Sequence, residues 1–253
     1  MKKTNLAVML LLSLALAGCV TTSDQPRRAK DPDGARDAYI QLGLGYLQQG
    51  ETESAKAPLS EALKLDPHSS SAHIALAMVF QREGEYESAD KHFRAAQASS
   101  PDDPRILNNY GVFLLGQERY PEALSAFQKA AQDNLYGERS RVFENLGITY
   151  ARMGQADDAK ASFERALRLN SRQPLALLEM AKLEFTARHF VPAWDYYRRF
   201  TEYSGQDAES LWLGVQLARR FEDHNSAASY ALQLRRLYPA SAQAQALEAS
   251  ERL

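Results

Sequence analysis

The chain has 253 residues, 45% hydrophobic and 25% charged, with a formal net charge of −2. This is ample for a packed core and excludes wholesale disorder, while the near-neutral balance carries no electrostatic footprint for nucleic acid. One cysteine, Cys19, excludes an intrachain disulfide, and five histidines without a His-x-x-x-His pair offer no zinc-ligand set.

The first predicted element is an address. Residues 1–19 read MKKTNLAVMLLLSLALAGC. Lys2 and Lys3 supply positive charge, and residues 6–16 form an apolar run too short for a spanning helix. Leu16, Ala17, Gly18 and Cys19 resemble the lipobox of bacterial lipoproteins. The resemblance implies a signal peptide over residues 1–18, cleavage before Cys19, and acylation of Cys19, a covalent lipid with no other cofactor. Stable anchoring needs two or more acyl chains, since one holds only marginally. The inner-membrane retention signal of such lipoproteins is Asp at the next position. Val20 stands there, which implies the outer membrane, on its periplasmic side. With Cys19, residues 20–34 (VTTSDQPRRAKDPDG) read as a flexible tether. Arg27, Arg28 and Lys30 are a solvated linker cluster or a contact for anionic headgroups.

An internal repeat organises the rest. QLGLGYLQQGETESAKAPLSEALKLDP, residues 41–67, is followed 34 positions later by ALAMVFQREGEYESADKHFRAAQASSP. Gly50 maps to Gly84, Ala55 to Ala89, Leu59 to Phe93, Ala62 to Ala96 and Pro67 to Pro101. The pattern resembles the tetratricopeptide repeat, a helix–turn–helix with small residues at the helix contacts. The expected fold is all-α, a right-handed superhelical solenoid of six repeats over residues 35–253. Repeats start near residues 36, 70, 104, 140, 174 and 208, and a short helical tail follows. Gly43, Gly111 and Gly147 are expected where paired helices approach most closely, and Tyr39, Leu42 and Tyr46 in the interhelical core. The step between repeats three and four is 36 residues. The extra two lie in DNLYGER, residues 133–139, a hinge or a tolerated insertion, with Gly137 expected as a left-handed cap. The worn sixth repeat reads as an end cap solvated by Arg219, Arg220, Arg235 and Arg236.

No constellation argues for an enzyme. Gly43-x-Gly45-x-x-x-x-Gly50 is neither a dinucleotide fingerprint nor a P-loop, and no G-x-S-x-G or H-E-x-x-H occurs. No catalytic residue, metal ligand or small-molecule substrate is expected.

In the repeat, positions 2, 5, 9 and 12 of the first helix line the concave face. Repeat one places Ile40, Leu44 and Leu47 there, a stripe at i, i+4 and i+7. Ile74 and Met78 continue it, and then Asn108, Val112 and Arg141 make it more polar, with Arg105 at the rim. An apolar trough of this kind suits an amphipathic helix or extended segment of a protein partner. The tether or a second protomer covering the stripe is the alternative. A carboxylate clamp is not expected, because its first two positions hold Ile74 and Met78.

The lipobox, short tether and six repeats together resemble the PilF/PilW family of type IV pilus biogenesis lipoproteins. The most telling pieces are YIQLGLGYLQQG and ILNNYGVFLLGQERYPEAL, residues 106–124. The resemblance implies a pilotin, anchored in the outer membrane by its lipid, that binds the pilus secretin subunit and promotes its localisation and multimerisation. It carries over no catalytic residues. Two other repeat lipoproteins offer alternatives, an adaptor for peptidoglycan enzymes (NlpI-like) and an outer-membrane barrel assembly factor (BamD-like).

Overall fold

The computed structural model describes residues 31–252; the signal peptide, Cys19 and most of the tether lie outside them. Among the described residues there are thirteen α-helices and no strand. Helices α1 (Pro32–Gln49) and α2 (Thr52–Leu65) form the first pair, α3 (Ser70–Glu83) and α4 (Tyr86–Ser99) the second, and α5 (Pro104–Gly116) and α6 (Tyr120–Ala130) the third. Then come α7 (Arg139–Arg152) with α8 (Ala156–Leu169), α9 (Pro174–Thr186) with α10 (Phe190–Tyr203), and α11 (Ala208–Arg220) with α12 (His224–Leu237). Helix α13 (Ala242–Glu251) closes the series. Each pair packs on the next and on none further along, so the described residues form a solenoid.

The core repeats with the sequence. Each second helix buries a stripe at i, i+4 and i+7: Ala55, Leu59, Ala62; Ala89, Phe93, Ala96; Ala123, Phe127, Ala130; Ala159, Phe163, Ala166. The large middle residue fits because the facing helix offers glycine. A Cβ on Gly43 would lie 2.5 Å from Leu59, on Gly111 2.6 Å from Phe127, and on Gly147 2.5 Å from Phe163. No real Cβ contact is that short, so the glycines set the helix spacing.

Four details differ from expectation. Helix α1 starts at Pro32, inside the segment read as tether, because Asp31 accepts a hydrogen bond from Gly34 N–H at 2.9 Å and Pro32 suits the first turn. Tyr39 (37% exposed) and Leu42 (50%) are not core residues. Their equivalents Leu107 and Tyr110 are buried in one cluster with Ala89 and Phe93 of the preceding repeat. Among the described residues no repeat precedes α1 to cover this face. Gly137 does not adopt a left-handed conformation. The cap of the C-terminal end is α13 rather than the sixth repeat. Leu247 and Ala244 pack on Leu211, Val215 and Leu234. Arg219 donates to Ser250 Oγ at 2.8 Å, and Arg235 pairs with Glu251.

Every turn within a pair passes through a left-handed residue. Gly50, Gly84 and Gly154 fill this position in three repeats, whereas Glu118 (φ 58°), Arg188 (φ 63°) and Glu222 (φ 58°) fill it in the others. A side chain in that conformation costs about 1–2 kcal/mol, less the entropy glycine loses on folding. Glu118→Gly is therefore expected to raise stability by up to about 1 kcal/mol, read as a higher urea midpoint at unchanged slope.

Candidate docking face

The first helices of three successive pairs enclose a groove of about 430 Å³. Asp37, Ile40, Gln41 and Leu44 come from α1, Ser71, Ile74, Ala75 and Met78 from α3, and Arg105 and Asn109 from α5. The floor is aliphatic because position 5 of two repeats is isoleucine and position 9 is leucine or methionine. One end carries the Asp37 carboxylate and the other the Arg105 guanidinium, held by Asp103 at 3.2 Å.

Of the eight residues placed on this face from the sequence, Ile40, Leu44, Ile74 and Met78 line the groove. The others stand elsewhere. Leu47 is 4% exposed, packed among Ala55, Leu59 and Val79, and does not line the groove. Ile40 is 5% exposed and presents little more than an edge, since Ala62 and Ala72 cover it. The stripe is thus largely covered by the chain's own second helix and second repeat. Asn108 is buried and accepts from Asn145 Nδ2 at 3.0 Å, an amide pair that ties α5 to α7. Asn145 is thereby committed to Asn108. Val112 is exposed beyond the groove, and Arg141 lines a different cleft.

That second cleft, about 570 Å³, lies where the third, fourth and fifth pairs meet. Its walls are the start of α7 (Arg139, Ser140, Arg141, Glu144), the start of α9 (Pro174, Leu175), the end of α8 with the following turn (Leu169, Asn170, Arg172, Gln173), and residues 134 and 136–138. The eight residues 131–138 connect α6 to α7, where the other connections between pairs have four. This loop is organised by its own bonds. Asp133 Oδ1 accepts from Leu135 N–H at 2.8 Å, and Tyr136 packs against the central core cluster. Glu144 is buried and accepts from Ala176 N–H at 3.1 Å, capping α9 from the neighbouring repeat; burial pushes its carboxyl above the usual carboxylate range. Sequence reasoning passed over Arg139 and Arg172, because the Ala131 carbonyl and the Tyr203 ring beside them come from other repeats.

On the other side of the second repeat, His73 Nδ1 and His92 Nδ1 lie 2.9 Å apart, and His73 Nε2 lies 3.1 Å from the Pro67 carbonyl oxygen. One of the two Nδ1 atoms must be bare to accept the other's proton, so the pair tolerates no second positive charge. His92 also stacks on Phe80, at 5.4 Å. Burial, then the nearby His73 and Lys91, lower its pKa from 6.5 to about 4. Between those values the unfolded chain binds a proton that the folded chain refuses, so stability falls as pH drops from 6.5 towards about 4. Urea midpoints across that window should show a smaller acid loss for His92→Gln than for the parent.

Among the described residues no helix is long and apolar enough to cross a membrane, and no group of three metal-ligating side chains occurs.

Three models of the tetratricopeptide repeat match residues 46–108, 102–172 and 145–208. The chain is 53% identical over 247 residues to the type IV pilus assembly protein PilF of Pseudomonas aeruginosa, covering 97% of this chain and 98% of that one. A solved structure of Pseudomonas aeruginosa PilF superposes with a TM-score of 0.86 at 55% identity, over 87% of this chain and all (100%) of that one. The crystal structure of PilW, described as a widely conserved type IV pilus biogenesis factor, gives 0.74 at 29% identity, over 84% and 97% of the two chains.

Proposed function

Because the chain belongs to the family of the type IV pilus assembly protein PilF, we propose that it is a pilotin, an outer-membrane-anchored scaffold that binds the pilus secretin subunit and promotes its localisation and assembly into a ring. The observation that carries this reading is similarity along essentially the whole chain, 97% of it. Proteins of this kind are protein-interaction scaffolds built of tetratricopeptide repeats, not enzymes. Work is divided between two parts. Acylated Cys19 supplies the anchor on the periplasmic side of the outer membrane, and the solenoid supplies recognition through the groove between α1, α3 and α5. Holding secretin subunits at one membrane raises their local concentration, which favours ring assembly without any catalytic step.

The test follows the fate of the secretin. Cells carrying Cys19→Ala are expected to make the solenoid but to leave the secretin as monomers, with loss of twitching. Normal secretin rings in that strain and in the gene deletion, with defects in cell shape or barrel assembly instead, would overturn the reading and favour a peptidoglycan-enzyme adaptor or a barrel assembly factor.

A further inference from the structure

We propose that the cleft between α7 and α9 receives a carboxylate carried by the same extended partner segment that occupies the groove; this rests on the docking role given to that groove. Two guanidiniums on the cleft wall carry the argument. Arg139 is fixed by its Nε, which donates to the Ala131 carbonyl at 2.8 Å, and by the Phe143 ring, 5.4 Å from centroid to guanidinium. Arg172 lies over the Tyr203 ring at 6.0 Å. Among the described residues neither has a carboxylate within 4 Å, whereas Arg141 beside them pairs with Glu138 at 3.5 Å. The remaining acid of the cleft, Glu144, is buried and occupied by the Ala176 N–H. Two positioned guanidiniums without counter-charge, at the wall of an open cleft, match a planar carboxylate. The apolar edge of the site, Leu169 and Leu175, favours an acidic residue with an apolar neighbour, and the adjoining loop holds Leu135 at 94% exposure.

The position of the cleft says why the occupant is the same segment. Ser71, Arg105, Arg141 and Leu175 hold the same place in successive repeats, so groove and cleft are stations on one row. Neighbouring first helices are about 10 Å apart, which puts the two stations about 25 Å from each other. About seven or eight residues of extended chain cover that distance. The partner segment therefore carries aliphatic side chains for the groove and Asp or Glu about that many residues away. Arg105 between them continues the positive end of the row.

The experiment uses the mature chain in detergent with two probes. The first is the purified periplasmic region of the secretin subunit, titrated against wild type, Arg172→Gln, the double variant Arg139→Gln/Arg172→Gln, and Leu44→Asp. The double variant is expected to bind about tenfold more weakly at low salt, with a flatter salt dependence. Arg172→Gln, at an exposed position, should give part of that loss with an unchanged melting curve. The second probe is acetyl-Leu-Asp-Glu-Leu amide, which should shift the Nε–H resonances of Arg139 and Arg172 at millimolar concentration where acetyl-Leu-Asn-Gln-Leu amide does not. Wild-type secretin affinity in both arginine variants, with loss in Leu44→Asp, would overturn the cleft proposal and leave the groove standing. Unchanged binding in Leu44→Asp overturns the groove reading instead. If the secretin region does not bind wild type at all, the resonances decide: a shift supports the carboxylate site, and none overturns it.

Discussion

Gly147→Val is expected to destabilise the protein by about 2–4 kcal/mol, among the largest effects open to a single side chain outside the second-helix stripe. The new Cβ would sit 2.5 Å from the Phe163 ring. Phe163 is fully buried between Ala159, Ala166, Ala176 and Met180, so it has no room to withdraw. The strain must then be relieved by moving α7 away from α8, and α7 is also the wall of the cleft and the partner of α5 through the Asn108–Asn145 pair. Because repeats are stabilised by their neighbours, loss of the fourth should uncouple the two ends and broaden or split the unfolding transition. Calorimetry reads both the shift and the shape. Gly45 supplies the contrast: nothing lies within 4 Å of a Cβ built there. Gly45→Ala removes a flexible residue from the middle of α1 and should stabilise by about 0.5–1 kcal/mol.

Leu44→Asp is expected to weaken binding of the secretin region by about 100-fold or more while the helical spectrum persists. Leu44 is already half-buried, so binding adds at most about half of the 1.5–3 kcal/mol of a fully buried aliphatic side chain, and a carboxylate put in its place adds a desolvation penalty of several kcal/mol. Together these exceed the roughly 2.8 kcal/mol that correspond to 100-fold. Leu44 is half-buried and also touches the first-repeat core, so Met78→Asp is the companion variant. Met78 is 39% exposed and lies across the same groove. Isothermal titration of both variants, beside melting curves, separates loss of the groove from loss of the fold. Parent-like affinity in both would remove the groove from the binding site.

The sequence by itself determined the repeat, because a 34-residue period with alanine, a large apolar residue and alanine on one helix stripe has few other meanings. It also placed Gly43, Gly111 and Gly147 where paired helices approach most closely, since that approach lies within one repeat and recurs at a fixed offset; that the residues they face are Leu59, Phe127 and Phe163 came from the structure. The lipobox and its Cys19 rest on sequence alone. What only the tertiary structure decided lies between repeats. Tyr39 and Leu42 occupy positions that are core in the third repeat, yet they are open here because, among the described residues, no repeat stands before α1. Leu47 carries a groove position but is buried by α2 and α3. Asn108 holds a groove position in the repeat but is spent on Asn145. Arg139 and Arg172 share one cleft because Phe143, Tyr203 and the eight-residue connection stand around them. The physical reason is the same in each case. Periodicity reports which way a side chain points from its own helix, but exposure and charge balance depend on which neighbour stands there, and at the ends and insertions of a solenoid that neighbour changes.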